Sequence, residues 1–288
     1  MPGVWGIAAI LSKLLLYVGI AGSSGLVIMR AAFADLLSSL SGRMRVHTAF
    51  LAGLAIVASV IGFMLRGAAL TGGADGMSDP EMLGLLWQTP VGDVLVYRLV
   101  GAAMILVGLF VPFAGQWISL GGGVLALWSF AQIGHVPGLE QSGVRLLLLL
   151  HLLCLAFWIG ILGPLRRLSL QPERLDEAAA LGDRFGQAAS VIVPALILAG
   201  LLMSWLLLGD LRSLFVSGYG QALLIKLGLV ALVLVMAAAN KFRFVPAMQA
   251  GDHDAARHLA RSIEIETAII LVVFAATATL TSVLTLPN

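Results

Sequence analysis

Eight runs of about twenty apolar residues, separated by short polar or glycine- and proline-bearing connections, set the pattern of the chain. They fall at roughly 5–29, 47–67, 93–111, 115–134, 145–164, 186–208, 220–240 and 264–285. A helix of that length crosses the ~30 Å hydrocarbon layer and satisfies its own backbone groups where no water can do so. The pattern predicts an all-α polytopic membrane helix bundle with eight transmembrane helices, forming one membrane domain over residues 1–288. Only Pro112-Phe113-Ala114-Gly115 divides the third run from the fourth. The first run lacks a basic leader and exceeds the ~7–15 residues of a signal-peptide core, so it is expected to be a retained helix.

The polar positions between the runs predict an orientation. Arg30, Arg43 and Arg45 follow the first run. Arg166, Arg167, Arg174 and Arg184 follow the fifth, and Lys241, Arg243, Arg257 and Arg261 follow the seventh. All three connections fall on one side of an eight-helix topology, and short basic loops are held in the cytoplasm. The loop at 68–92 carries Asp75, Asp79 and Glu81 without a basic residue, which fits the opposite face. Both termini are therefore expected to lie outside, on the face opposite the cytoplasm (periplasmic, if the membrane is a bacterial inner one). Glu173–Asp183 and Asp252–Ser262 read as local surface helices, with His253 and His258 solvated on the second. His47, beside Arg43 and Arg45, reads as a capping or headgroup residue.

Composition agrees: 60% of residues are hydrophobic and 11% charged, against roughly 25% charged in soluble domains. The lipid bilayer is the implied surrounding. A net charge of +2, with the basic residues placed as topology signals, leaves no nucleic-acid patch. There is no Walker loop, nucleophile triad, dinucleotide fingerprint or pair of mid-membrane carboxylates. An ATP-driven pump and the common enzyme classes are thereby disfavoured, and a non-enzymatic role is expected. Cys154 is the sole cysteine, so no intrachain disulfide is possible.

Two echoes suggest duplication. Thr89-Pro-Val-Gly92 with Arg98 matches Ser217-Gly-Tyr-Gly220 with Lys226, a hydroxyl three before a glycine and a cation six after it. Tyr17-Val18-Gly19-Ile20 echoes Trp158-Ile159-Gly160-Ile161. A parallel 4+4 internal repeat is expected, with halves of about 1–140 and 141–288 related by an axis along the membrane normal. The halves differ where the fourth run ends at His135 and the eighth offers Thr277, Thr279, Thr281 and Ser282.

Ligand-type side chains inside a bilayer are costly and mark function by default. The hairpin from Gly134-His135 through His151 to Cys154 puts two imidazoles and the only thiol in this class. Imidazole and thiolate suit Cu, Zn and haem iron. His151 and Cys154, three apart, share a helix face. His135 stands at the outer edge, and His151 about six residues, roughly 9 Å, inside its helix. The two histidines either share a site, if the Pro137-Gly138 loop folds inward, or form two stations of a path; the alternative for each is an interhelical hydrogen-bonding residue. Lys13, Arg98 and Lys226 intrude on the outer half. They either snorkel to headgroups or face a cavity, where they would suit an anion or haem propionates unless Asp93 or Glu140 offsets them. The single Met residues read as packing, the tryptophans as belt anchors or packing, and Pro194 with Gly200 as a bend.

Taken together, Ser129-Phe130, Gly134-His135, His151-Leu-Leu with Trp158-Ile-Gly160-Ile-Leu, Arg184-Phe185, Gly200-Leu-Leu-Met-Ser-Trp205, Tyr219-Gly220-Gln-Ala-Leu-Leu-Ile-Lys226-Leu and Glu264 resemble the copper-resistance D (CopD) family of bacterial inner-membrane proteins. Thr89-Pro-Val-Gly92 with Arg98 is similar to the family pattern too. The resemblance covers about residues 85–285 and implies an eight-helix protein that handles copper, moving it from periplasm to cytoplasm or passing it to partners. It points to His135 and His151, with Cys154 as a further soft ligand and Cu(I) the more suitable ion. These 288 residues hold no Met/His-rich loop and no appended copper-binding domain, so a periplasmic copper-binding chaperone is expected to deliver the ion. The alternatives are a b-type haem electron carrier using the same histidines, and a scaffold that assembles copper proteins without transport.

Overall fold

A computed structural model describes residues 3–134, 138, 141, 143–208 and 211–282, and these are helical with no strand. The helices are α1 (Val4–Ala32), α2 (Ser41–Thr71), α3 (Pro80–Trp87), α4 (Pro90–Gly108), α5 (Gly115–Trp128), α6 (Val144–Ser169), α7 (Leu175–Leu208), α8 (Leu211–Val216), α9 (Gly218–Ala239), α10 (Val245–Gln249) and α11 (His253–Leu280). Among the described residues, seven helical segments are long and apolar enough to cross a membrane. They correspond to seven of the eight expected runs. The remaining run, the fourth, is α5 extended by the 3₁₀ turn Ser129–Ala131. It returns antiparallel beside α4: a Cβ on Gly101 would meet the backbone of Gly122 and Ala126 at 2.7 Å, and Arg98 Nε donates to Ser129 Oγ at 3.3 Å. The turn between them, from Leu109 to Ala114, carries Phe113 at φ 59°.

The large apolar side chains divide by depth and face. Val4, Ile7, Leu11 and Leu15 on α1, and Val191, Leu198 and Leu202 on α7, lie exposed at helical spacing, as a lipid-facing stripe requires. The bulkiest buried residues instead gather at one end, where Met29, Leu37, Leu168, Leu181, Met248 and Leu259 pack together. This end also collects the three basic connections. Arg184 pairs with Asp35 and lies over Phe33, Ser39 donates to Glu177 at 3.1 Å, and Arg166 pairs with Glu264. Arg45 donates to the Leu109 carbonyl and stacks on Phe110, so the α4–α5 turn belongs here too. The 173–183 and 252–262 segments are helical as expected. They are extensions of α7 and α11, continuous with the spans. His47 bonds the Arg43 carbonyl at 2.9 Å, and His258 stacks on Phe244.

The Arg184 guanidinium, by its hydrogen bond, holds the Asp35 carboxyl below the usual carboxylate range. A depressed folded-state value contributes stability above the unfolded value, lost as pH falls through the folded one. Both side chains are largely solvated, so the effect is small. Asp35→Asn is expected to lower the thermal midpoint slightly at neutral pH, and the gap to wild type should close on acidification. A gap that widens at low pH would contradict the pairing.

Small residues set the helix crossings. α1 and α6 touch backbone to backbone at Gly25 and Gly160, where a Cβ on Gly160 would stand 2.9 Å from the Gly25 Cα. α1 and α2 approach at Gly19, whose Cβ would stand 2.8 Å from the Ala55 nitrogen. Close approach through small residues is the usual means of helix association in lipid, where apolar contacts with lipid compete.

Candidate functional site

The α6 helix carries the candidate residues down one side. His151 is half-buried, with its ring against α7: Nδ1 lies 3.1 Å from the Leu196 carbonyl. A carbonyl only accepts, so Nδ1 carries the proton and Nε2 keeps a lone pair. Gly200 makes the approach possible, since a Cβ there would stand 3.2 Å from the His151 Cε1. Lys226 on α9 is the charged group that acts on this ring. Cys154, one turn along, is 7% exposed and packed in the apolar core with Phe157 and Trp158. His135 lies outside the described residues, as does Glu140. Among the described residues no three His, Cys, Asp or Glu side chains converge as a metal cage would require. A cavity of about 190 Å³ at the basic end, among Arg30, Ser41, Gln116 and Ser119, does not include His151 or Cys154.

Two of the three cations expected in the outer half, Lys13 and Arg98, turn to partners within the bundle. Lys13 Nζ donates to the Thr281 carbonyl at 2.9 Å and its hydroxyl at 3.0 Å, closing the C-terminal end of α11 against α1. Tyr17 bonds the same hydroxyl at 3.2 Å. Arg98 stacks on Phe130, 5.2 Å from the ring centroid. Arg66, which the sequence pattern hid at the end of its run, completes a cluster in which Lys13, Arg66 and Arg98 act on one another. This cluster stands apart from the α6–α7 contact of His151.

The hydroxyls of the sequence echo are helix caps. Thr89 Oγ1 accepts from the Val91 amide at 3.2 Å and Ser217 Oγ from the Gly220 amide at 2.9 Å. Each helix thus opens with a side-chain acceptor for its free amides. Arg98 and Lys226 follow at the same place in α4 and α9.

Sequence reasoning passed over Glu266. It is 1% exposed on α11 and accepts from Asn240 Nδ2, with the Trp158 indole and Ser262 hydroxyl also directed to it. Trp158 is therefore a buried polar contact as well as a packing residue. The available signal was a carboxylate inside an apolar run, at Ile265-Glu266-Thr267.

The sequence matches known families in two parts. Residues 3–144 match the family described as Copper resistance protein D-like, N-terminal domain, and residues 179–280 match Copper resistance protein D. Copper resistance protein D of Pseudomonas syringae pv. tomato is 30% identical over 218 residues, 69% of each chain. Copper transport protein CutJ of Bacillus subtilis (strain 168) is 32% identical over 111 residues, 37% of this chain and 20% of that protein. No solved structure matches. With both parts matched and over two thirds of a relative's length aligned, the chain belongs to the copper resistance protein D family.

Proposed function

We propose that this protein moves copper through a bacterial inner membrane from the periplasmic side, with His151 as the ligand inside the bundle. The observation that carries the reading is the Nδ1 bond to Leu196, which leaves Nε2 as a lone pair among membrane-crossing helices. Metal-binding histidines characteristically fix their second nitrogen on a backbone carbonyl or carboxylate in this way. The names of two relatives, a copper resistance protein and a copper transport protein, point to the same ion. The copper is cargo, and Cu(I) suits an imidazole followed one turn inward by the Cys154 thiol.

The basic end is cytoplasmic by the positive-inside rule. With α5 counted as a crossing, eight spans place both termini in the periplasm and His151 in the outer half. His135, in the connection before α6, is the entry ligand to which a periplasmic copper-binding chaperone delivers the ion. Passage is downhill or exchange-driven. The test is Cu(I) uptake by the purified protein in liposomes. Wild type should load the vesicles and His151→Ala should reduce uptake to that of empty vesicles; equal uptake by both would overturn the assignment. A Soret band in the purified protein would favour haem on the same residues.

A further inference from the structure

We propose that Glu266 is a proton-binding site and that its ionisation is linked to the ion at His151. The linkage rests on the copper reading above; the proton site does not.

A carboxyl at 1% exposure within a membrane-crossing helix needs a partner for its charge or a proton in its place. Among the described residues Glu266 makes no ion pair. Its neighbours are neutral: Asn240 after α9, Trp158 on α6 and Ser262 on its own helix. Most charged groups of the elements packed around it are engaged elsewhere. Arg166 and Arg261 pair with Glu264, Lys241 donates to Ser190, and Lys13 binds Thr281. Arg167, its Nε buried without a partner, stands nine residues beyond Trp158 on α6 toward the basic end, and Lys226 and His151 lie toward the other.

The Asn240 amide shows what the site lacks. Its Nδ2 donates to Glu266 Oε1, while its Oδ1 is buried without a partner. An ionised carboxyl has no hydrogen to give, so the two remaining oxygens are both acceptors. A proton on Oε2 creates the O–H that donates to Asn240 Oδ1, closing a cyclic acid–amide pair and satisfying the orphan. Asn240 also opens a π-helical turn, Asn240–Phe244, and such turns recur at functional sites. The proton comes from water at the basic end and returns there on ionisation.

Trp158 lies two turns along α6 from His151, roughly 10 Å at 1.5 Å per residue. For a carboxyl-to-ion separation of that order and an effective dielectric near 20, a carboxylate attracts a monovalent cation by on the order of tenfold in affinity. Ionised Glu266 therefore favours the ion at His151 and protonated Glu266 releases it, so proton and copper exchange.

Difference infrared spectroscopy of the full chain in nanodiscs, taken through a pH series, tests the site without copper. A protonated-carboxyl carbonyl band should grow on acidification and be missing in Glu266→Gln. In Asn240→Ala the band should persist with a shifted midpoint, a result that does not depend on the first variant folding. A band unchanged in Glu266→Gln and Asn240→Ala overturns the site. For the linkage, Cu(I) affinity at neutral pH should be about tenfold weaker in Glu266→Gln, and Cu(I) added to wild type should diminish the band. Equal affinity overturns the linkage. If wild type binds no Cu(I) while the band titrates, the copper reading fails and the proton site stands.

Discussion

Replacing Gly160 with leucine is expected to prevent the bundle from assembling, so that little monodisperse protein survives extraction. At this crossing α1 and α6 are in contact through their backbones, and a Cβ on either Gly25 or Gly160 would stand 2.9 Å from the other's Cα. A flexible side chain can yield to a new methyl group, but two helix backbones yield only by moving apart. Separation would uncover Ile161 and Trp158 on α6 and Leu26 and Met29 on α1, all now buried. Overpacking a well-packed interior typically costs ~1–3 kcal/mol, and an obstacle of backbone on both sides belongs at or above the upper end. Against a total stability of about 5–15 kcal/mol, an alanine at 160 should lower the melting temperature and a leucine should remove the transition. Gly163 is the internal control, because a Cβ there meets nothing within 4 Å. Gly163→Leu should melt like wild type; equal damage at 160 and 163 would show that general helix perturbation, and not the crossing, is responsible.

Much of this scaffold was readable in advance because lipid imposes a simple code. A crossing helix must be predominantly apolar for about twenty residues, and the connections held in the cytoplasm collect the basic residues. α1, α2, α4, α6, α7, α9 and α11 satisfied that code, and the three basic connections do lie together at one end. The code does not report where a helix stops in water. α7 and α11 were expected to begin at the membrane edge, yet their charged N-terminal turns continue the same helices, because Asp252 caps the second and apolar residues such as Leu181 and Leu259 bury against one another there.

Pair geometry was harder to read than element type. The cations Lys13 and Arg98 looked free to snorkel, but a threonine at the far terminus of the chain and a serine at the end of α5 receive them. Those contacts are long-range and leave no local pattern. Glu266 was hidden for a different reason. It sits two residues after Glu264, close enough to the charged start of α11 to read as part of it, whereas the helix turns it inward by half a revolution to Trp158 and Asn240. His151 was legible as an intramembrane imidazole, but the carbonyl that fixes its tautomer belongs to a helix 45 residues away.

Gly200→Leu should be nearly as damaging to copper movement as loss of the imidazole itself, while leaving the fold in place. The glycine is what lets the His151 ring reach α7: a Cβ at 200 would lie 3.2 Å from Cε1 and 3.5 Å from Nδ1. An alanine there crowds the ring by a few tenths of an ångström; a leucine displaces it from the Leu196 carbonyl. Once Nδ1 loses that acceptor, nothing among the described residues holds the proton on Nδ1 or the ring in one orientation. Loss of such an outer partner commonly costs 10–100-fold in metal affinity or activity, so Cu(I) uptake should fall by about that factor in Gly200→Leu and less in Gly200→Ala. The neighbouring Leu198, Leu201 and Leu202 are exposed on the lipid side of α7, so the displaced imidazole and the new side chain have room to separate without breaking a core, and the melting temperature should change little. Uptake at the wild-type rate in Gly200→Leu would mean that the position of His151 does not matter to transport. A collapse of the melting transition would instead make the His151–Leu196 contact a structural tie between α6 and α7.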